Sequence, residues 1–235
     1  FTGTIPGRYH LTATSVADGA KSATAIVYVT GHTMPFRVTP NRTEPVDCSV
    51  DPAMLGTVYE VGPSQAFKTL AAVPFPTMEP GSTVRLHNED ATGLHPTEYH
   101  EYVQISRAAT ADQPFRLCGV PDRFGNLPVI DGANATGRSD TGADVAGTGL
   151  LALHSSNSFT YWPAFSGPQY IAVEGIQFRN AKAGNSYRAP GGSANTWQSS
   201  SSCIQVDEAQ NIAFVGDDIG SCSSGVLTEF NSNGG

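Results

Sequence analysis

From about residue 58 onward, apolar positions come in short alternating runs, each closed by Gly, Pro, Asp or Asn. Thr83-Val84-Arg85-Leu86, Tyr102-Val103-Gln104-Ile105, Phe115-Arg116-Leu117-Cys118 and Val129-Ile130 are runs of this kind. A period of two with turn punctuation predicts short strands. One stretch departs from it: Phe67, Leu70 and Ala71 fall at i, i+3 and i+4. With Ser64 as N-cap and Pro74 as a stop, this spacing predicts a short helix over 65–73. Ahead of these runs, Tyr9, Leu11 and Ala13 share a face, Asp18-Gly19 signals a turn, and Ser22-Ala23-Thr24-Ala25-Ile26-Val27-Tyr28-Val29 is rich in β-formers. The first thirty residues therefore read as a hairpin, which alone is marginal in water. Residues 31–57, with Pro35, Pro40, Pro45 and Pro52 and little periodicity, read as a linker. The expected division is 1–30, 31–57 and 58–235.

The later runs repeat. The ten residues from Gln169 to Phe178 align without a gap on those from Gln210 to Ile219, and Cys203 to Asp207 align on Gly225 to Glu229. The second step, 22 residues, suits one coil of a three-sided solenoid. The first, 41 residues, needs an excursion from the coil, supplied by the Gly-, Ser- and Asn-rich stretch 181–202. Residues 155–168 are read as another such insertion. A solenoid exposes its apolar core at its first coil, and a helix over 65–73 is placed to cap it.

Composition agrees with many short strands. Charged residues are 14%, while there are 25 Gly and 16 Pro. The net charge of −8 provides no basic stripe for phosphates, which excludes a nucleic-acid surface. No apolar run is long enough to cross a bilayer as a helix. The four cysteines, Cys48, Cys118, Cys203 and Cys222, form no C-x-x-C pair. They are read either as buried thiols or as two disulfides, with three connectivities open. Cys203 and Cys222 lie 19 residues apart, near one coil. They could meet between neighbouring rungs, because strands spaced about 4.8 Å apart suit a disulfide.

The order Val-Gly-Pro-Ser-Gln-Ala-Phe-Lys-Thr-Leu (61–70), Pro-Gly-Ser-Thr-Val-Arg-Leu (80–86), Tyr-His-Glu-Tyr-Val-Gln-Ile (99–105), Gln-Pro-Phe-Arg-Leu-Cys-Gly-Val-Pro (113–121) and Pro-Val-Ile-Asp-Gly-Ala-Asn-Ala (128–135) resembles the leading segment of secreted right-handed parallel β-helix proteins. That pectate-lyase-like superfamily includes pectate and alginate lyases, polygalacturonase-like hydrolases and non-catalytic surface proteins. Residues 3–30 resemble the last two strands of a bacterial immunoglobulin-like domain. The resemblances imply an all-β chain, with an immunoglobulin-like hairpin fragment preceding a capped right-handed β-helix. They also imply a secreted or cell-surface setting and extracellular polysaccharide as partner. If the protein is an enzyme, they imply a lyase or glycoside hydrolase. The competing expectation is a structural or adhesive protein, a homo-oligomer or filament subunit built by strand exchange or solenoid stacking.

Candidate chemistry follows from rung stacking. Alternation turns Gln205 and Asp207 away from Ile204 and Val206, and the 22-residue step stacks Asp207 on Glu229. Paired carboxylates of this kind can bind Ca²⁺ or act as acid and base on a glycosidic bond; no cofactor is expected beyond that one possible ion. A solvated acidic ladder is the plainer explanation. Asp217, Asp218 and Arg179 are further catalytic candidates, although none sits in a catalytic motif of the family. His87, His95 and His100 with Glu89, Asp90, Glu98 and Glu101 straddle a turn, where a polar loop explains them better than a metal site. Tyr161, Trp162, Tyr187 and Trp197 lie in the two insertions. There they either offer ring faces to sugars or anchor their own loops. The sequons Asn41-Arg42-Thr43 and Asn134-Ala135-Thr136 carry little weight in a bacterial setting.

Overall fold

The structure is a computed structural model. It describes residues 47–137, 147–154 and 167–229, with two strands ahead of them. Those two, β1 (Gly7–Thr14) and β2 (Ser22–Val29), pair antiparallel from Gly7 opposite Val29 to Thr14 opposite Ser22, which is the hairpin expected from sequence. Sixteen short strands follow: β3 (Val58–Val61), β4 (Thr83–His87), β5 (Glu98–Tyr99), β6 (Glu101–Ile105), β7 (Phe115–Val120), β8 (Val129–Asp131), β9 (Ala135–Gly137), β10 (Gly149–Leu153), β11 (Gln169–Glu174), β12 (Gln177–Arg179), β13 (Ser186–Arg188), β14 (Ala194–Thr196), β15 (Ser202–Asp207), β16 (Gln210–Val215), β17 (Asp218–Ile219) and β18 (Ser224–Glu229). The chain is all-β, and every pairing among these strands is parallel except β13 with β14.

The strands fall into three sheets that the chain visits in a fixed order. The first is β16-β11-β7-β4-β3, the second β17-β12-β8-β5, and the third runs β14-β13-β9-β6-β10-β15-β18. From β4 the chain passes to β5 and β6, then to β7 in the first sheet again, and the cycle recurs through β18. β9 pairs with the start of β6 and β10 with its end; β13 then pairs with β9, and β15 with β10. One strand position is thus split in two successive circuits.

Each sheet contributes an apolar column. Tyr59, Val84, Leu117, Val173 and Phe214 lie in register in the first sheet, and Tyr99, Ile130, Phe178 and Ile219 in the second. Val103, Leu151, Ile204 and Val226 do so in the third. Middle members are buried, so apolar side chains repeating at one register position supply the core. The sequence repeats reappear as register: Ile171 sits opposite Ile212, Phe178 opposite Ile219, and Asp207 opposite Glu229. The 41-residue repeat also extends to the corners. Tyr170 and Asn211, Gly175 and Gly216, and Asn180 and Ser221 all have positive φ. Left-handed backbone is costly for L-residues, so its recurrence marks equivalent bends.

The expected helix over 65–73 is not formed. Two 3₁₀ turns, Leu70–Ala72 and Phe75–Thr77, stand there instead. Pro74 and Pro76 remove backbone donors and prevent an α-helix from propagating. Phe67 forms a parallel bridge with Val61, and its amide donates to Glu60 O at 3.0 Å. Ser64 is not an N-cap, since its amide and hydroxyl both donate to Glu89. Leu70, Val73, Phe75 and Met78 are nevertheless buried, so this segment packs apolar side chains beside β6.

Candidate functional site

Val103, Ile105, Leu151, Leu153 and Ile204 belong to the core. Gln104, Ala152 and Gln205 alternate with them and fall on the other side of the third sheet. The same parity takes in His154, one residue beyond β10, and Asp207, the last residue of β15. The His154 amide donates to Ile105 O at 3.3 Å, extending the ladder past the strand. His154 Nδ1 lies 3.0 Å from Asp207 Oδ2, with side chains only 17% and 14% exposed. Asp207 Oδ1 is buried without a hydrogen-bond partner among the described residues. Gln104 Nε2 donates to His154 O at 3.2 Å, and Thr148 Oγ1 donates to Gln205 Oε1 at 2.6 Å. Asp207 also sits opposite Glu229, whose side chain lies outside the described residues.

Chemically, a carboxylate 3.0 Å from an imidazole nitrogen forms a charge pair with the protonated ring, and a carboxylate oxygen lacking a donor can accept from a hydroxyl. The two amide side chains in the next row are buried, and each already uses one polar atom on His154 O or Thr148 Oγ1. Gln205 was read from the sequence as outward-facing beside Asp207, whereas His154 and Gln104 were not singled out. The signal was indirect: the step from His154 to Asp207 spans an insertion whose length no repeat fixes.

The other expected residues are placed differently. Arg179 belongs to the second sheet, where Nη1 donates to Asp218 O at 2.8 Å and Nη2 pairs with the Asp218 carboxylate. Asp217 Oδ1 accepts from Ile176 N at 2.9 Å. These contacts hold β12 to β17 and its corner, and they do not bring the three residues to Asp207. Tyr187 and Trp197 do not offer open ring faces, which corrects one of the two expectations for them. They are buried with Tyr102, the Tyr187 and Trp197 centroids lying 4.8 Å apart and Tyr102 edge-on to both. Trp197 Nε1 donates to Gly132 O at 2.7 Å. Tyr161 and Trp162 lie outside the described residues.

The histidine-rich stretch is spread over separate local networks. His87 pairs with Glu60, which also accepts from Arg85 at 2.7 Å, whereas His100 faces Ala133 O at 2.8 Å and Glu98 at 3.4 Å. Asp90 accepts from the backbone of His95 and from Thr92, which lowers its pKa to about 2. Burial opposes ionisation of Glu89, but hydrogen bonds from Ser64 and Gln65 outweigh it and hold the pKa below its usual value. Glu101 accepts from Leu70 N at 3.0 Å and from Ala71 N, fastening the 3₁₀ turn to β6. Among the described residues no group of three or more His, Cys, Asp or Glu is arranged to hold a metal ion.

Two disulfides are formed, Cys48–Cys118 and Cys203–Cys222, with Cα separations of 5.8 Å and 5.5 Å. The second is the pair that the rung spacing favoured. Disulfides suit an oxidising compartment, and no described helix is long and apolar enough to cross a membrane. No family model matches the chain, nor does any curated protein or solved structure.

Proposed function

We propose that residues from 58 onward form a right-handed parallel β-helix of a secreted or cell-surface protein, which engages extracellular polysaccharide on the outer face of the third sheet. Cyclic passage through three parallel sheets supports the solenoid, and right-handed crossovers are the general rule for parallel strands. The observation that carries the binding reading is the row of Gln104, His154, Gln205 and Asp207. These are polar side chains on the side of the sheet away from the core, with Gln104 and Gln205 8% and 6% exposed and the His154 and Asp207 side chains 17% and 14%, so a ligand would meet the row along a narrow strip. Such a row matches a ligand rich in hydroxyls better than an apolar one. Cleavage of the bound chain is the narrower form of the proposal, with His154 and Asp207 moving the proton.

Incubation with a panel of uronate-rich and neutral glycans tests it. Binding that Asp207→Asn weakens by about tenfold, the loss of one charge-assisted hydrogen bond, is the expected result. Absence of both binding and product release across the panel would remove it.

A further inference from the structure

Residues 47–50 form no strand, yet they are fixed to the first sheet. Cys48 is joined to Cys118 in the middle of β7. Two positions earlier on the same strand, Arg116 donates from Nη1 to Ser49 O and from Nη2 to Asp47 O, each at 2.9 Å. Arg116 is itself held by Glu174 on β11 at 2.6 Å, and Glu174 is 4% exposed. Cys118 and Glu174 sit side by side in register and alternate with the core residues Leu117 and Val173. The short segment therefore lies on the outward side of the first sheet.

The chain is gripped again a few residues later, by different means. Gln113 accepts from Leu55 N at 2.8 Å and donates to Ala53 O at 3.1 Å, and Thr57 N donates to Ser82 Oγ at 3.2 Å. Between the two grips is a local turn. Asp51 Oδ1 accepts from Ala53 N at 2.8 Å, and Asp51 O accepts from Met54 N at 2.9 Å. The first grip can thus open at this turn while the second keeps residues 53–57 in place. None of the core columns passes through residues 47–50.

We propose that Cys48–Cys118 and Arg116 form a redox-sensitive latch, which clasps the segment ahead of the sheets to the outer face of β7 and opens on reduction with the parallel sheets still folded. A dithiol supplies two electrons and two protons. Its own sulfurs join, the Cys48–Cys118 bond breaks, and each cysteine keeps its sulfur as a thiol. The segment is then held by the two Arg116 hydrogen bonds to backbone carbonyls and by the weak donor of the Cys48 thiol, whose Sγ lies 3.1 Å from Gly119 O. That places 47–50 at the low end of local stability. The bond itself is buried, with Cys48 6% and Cys118 0% exposed, but Asp47 and Ser49 on either side of Cys48 are exposed, so a reductant reaches it as this short segment lifts and not through the core.

Limited proteolysis of the full chain with a non-specific protease, before and after dithiothreitol, tests this, with hydrogen exchange following the sheets. Differential alkylation reports which disulfide has opened. Once Cys48–Cys118 opens, cleavage at 47–50 is expected to rise about tenfold or more while β4, β7 and β11 keep their amide protection. The pair Cys48→Ser/Cys118→Ser should reproduce that pattern without reductant, and adding Arg116→Ala should enlarge it. Unchanged cleavage at 47–50 would overturn the latch. So would simultaneous loss of protection in all three sheets, which would make the bond a staple of the whole fold.

Discussion

Single side chains close the gaps that short strands leave. The clearest case is Glu101, a 7% exposed residue at the start of β6 whose carboxylate receives the amides of Leu70 and Ala71. Glu101→Ala leaves the buried Leu70 amide without this acceptor, a loss of about 1–3 kcal/mol. Urea denaturation measures it, and an unchanged midpoint would show that water replaces the carboxylate freely. Asp90 permits a pH prediction. Its folded pKa of about 2 lies below the ordinary 3.8, so its contribution is complete above about pH 4 and falls away as pH drops towards 2. NMR titration of the Asp90 carboxyl against the amides of Thr92 and His95 reads this directly. A midpoint near 3.8 would mean that those bonds do not form in solution. At this scale the sequence was only partly informative. It marked Asp207 through the repeat, but not His154, because residue identity carries no sign of which neighbouring rung will stand beside it.

Elements were more legible where their pattern was local. Short alternating runs bounded by turn residues became strands, and both repeat alignments became strand registers, Gln169 with Gln210 and Ser202 with Ser224. The helix over 65–73 failed because the i, i+3, i+4 pattern also fits turns of 3₁₀ geometry, and the prolines decided between them. The insertion 181–202 was expected as an excursion, yet its β13 pairs parallel with β9 within the third sheet, and the direction of its rings was not legible either. Tyr187 and Trp197 turned inward because Tyr102, far earlier in the chain, lies where they can pack against it. This gives a discriminating experiment. Trp197→Ala removes a 2% exposed indole and its bond to Gly132, so a stability loss of about 3–5 kcal/mol is expected. Trp197→Phe should restore part of it. If Trp197→Ala instead kept the denaturation midpoint and abolished glycan binding, the indole would be a ligand platform and not an anchor.

At the scale of the whole molecule, the two disulfides act on the unfolded chain to different extents. Cys203–Cys222 closes a short loop with a sequence separation of 19, whereas Cys48–Cys118 spans 70 residues and joins the former linker to the third strand of the first sheet in spatial order. Chain entropy alone makes the longer bridge worth more, about 4 kcal/mol against about 3. Paired Cys→Ala variants compared by urea denaturation are therefore expected to lose more stability at 48/118 than at 203/222. The native-state environments do not reverse that order. Cys118 and Cys203 are each 0% exposed, Cys48 is 6% exposed and Cys222 packs against the core, so alanine disturbs packing at both bridges. A larger loss at 48/118 shows that the bridges act chiefly by what they deny the unfolded chain, an effect that leaves the native sheets folded when Cys48–Cys118 opens. A larger loss at 203/222 would show that packing around that bridge governs instead.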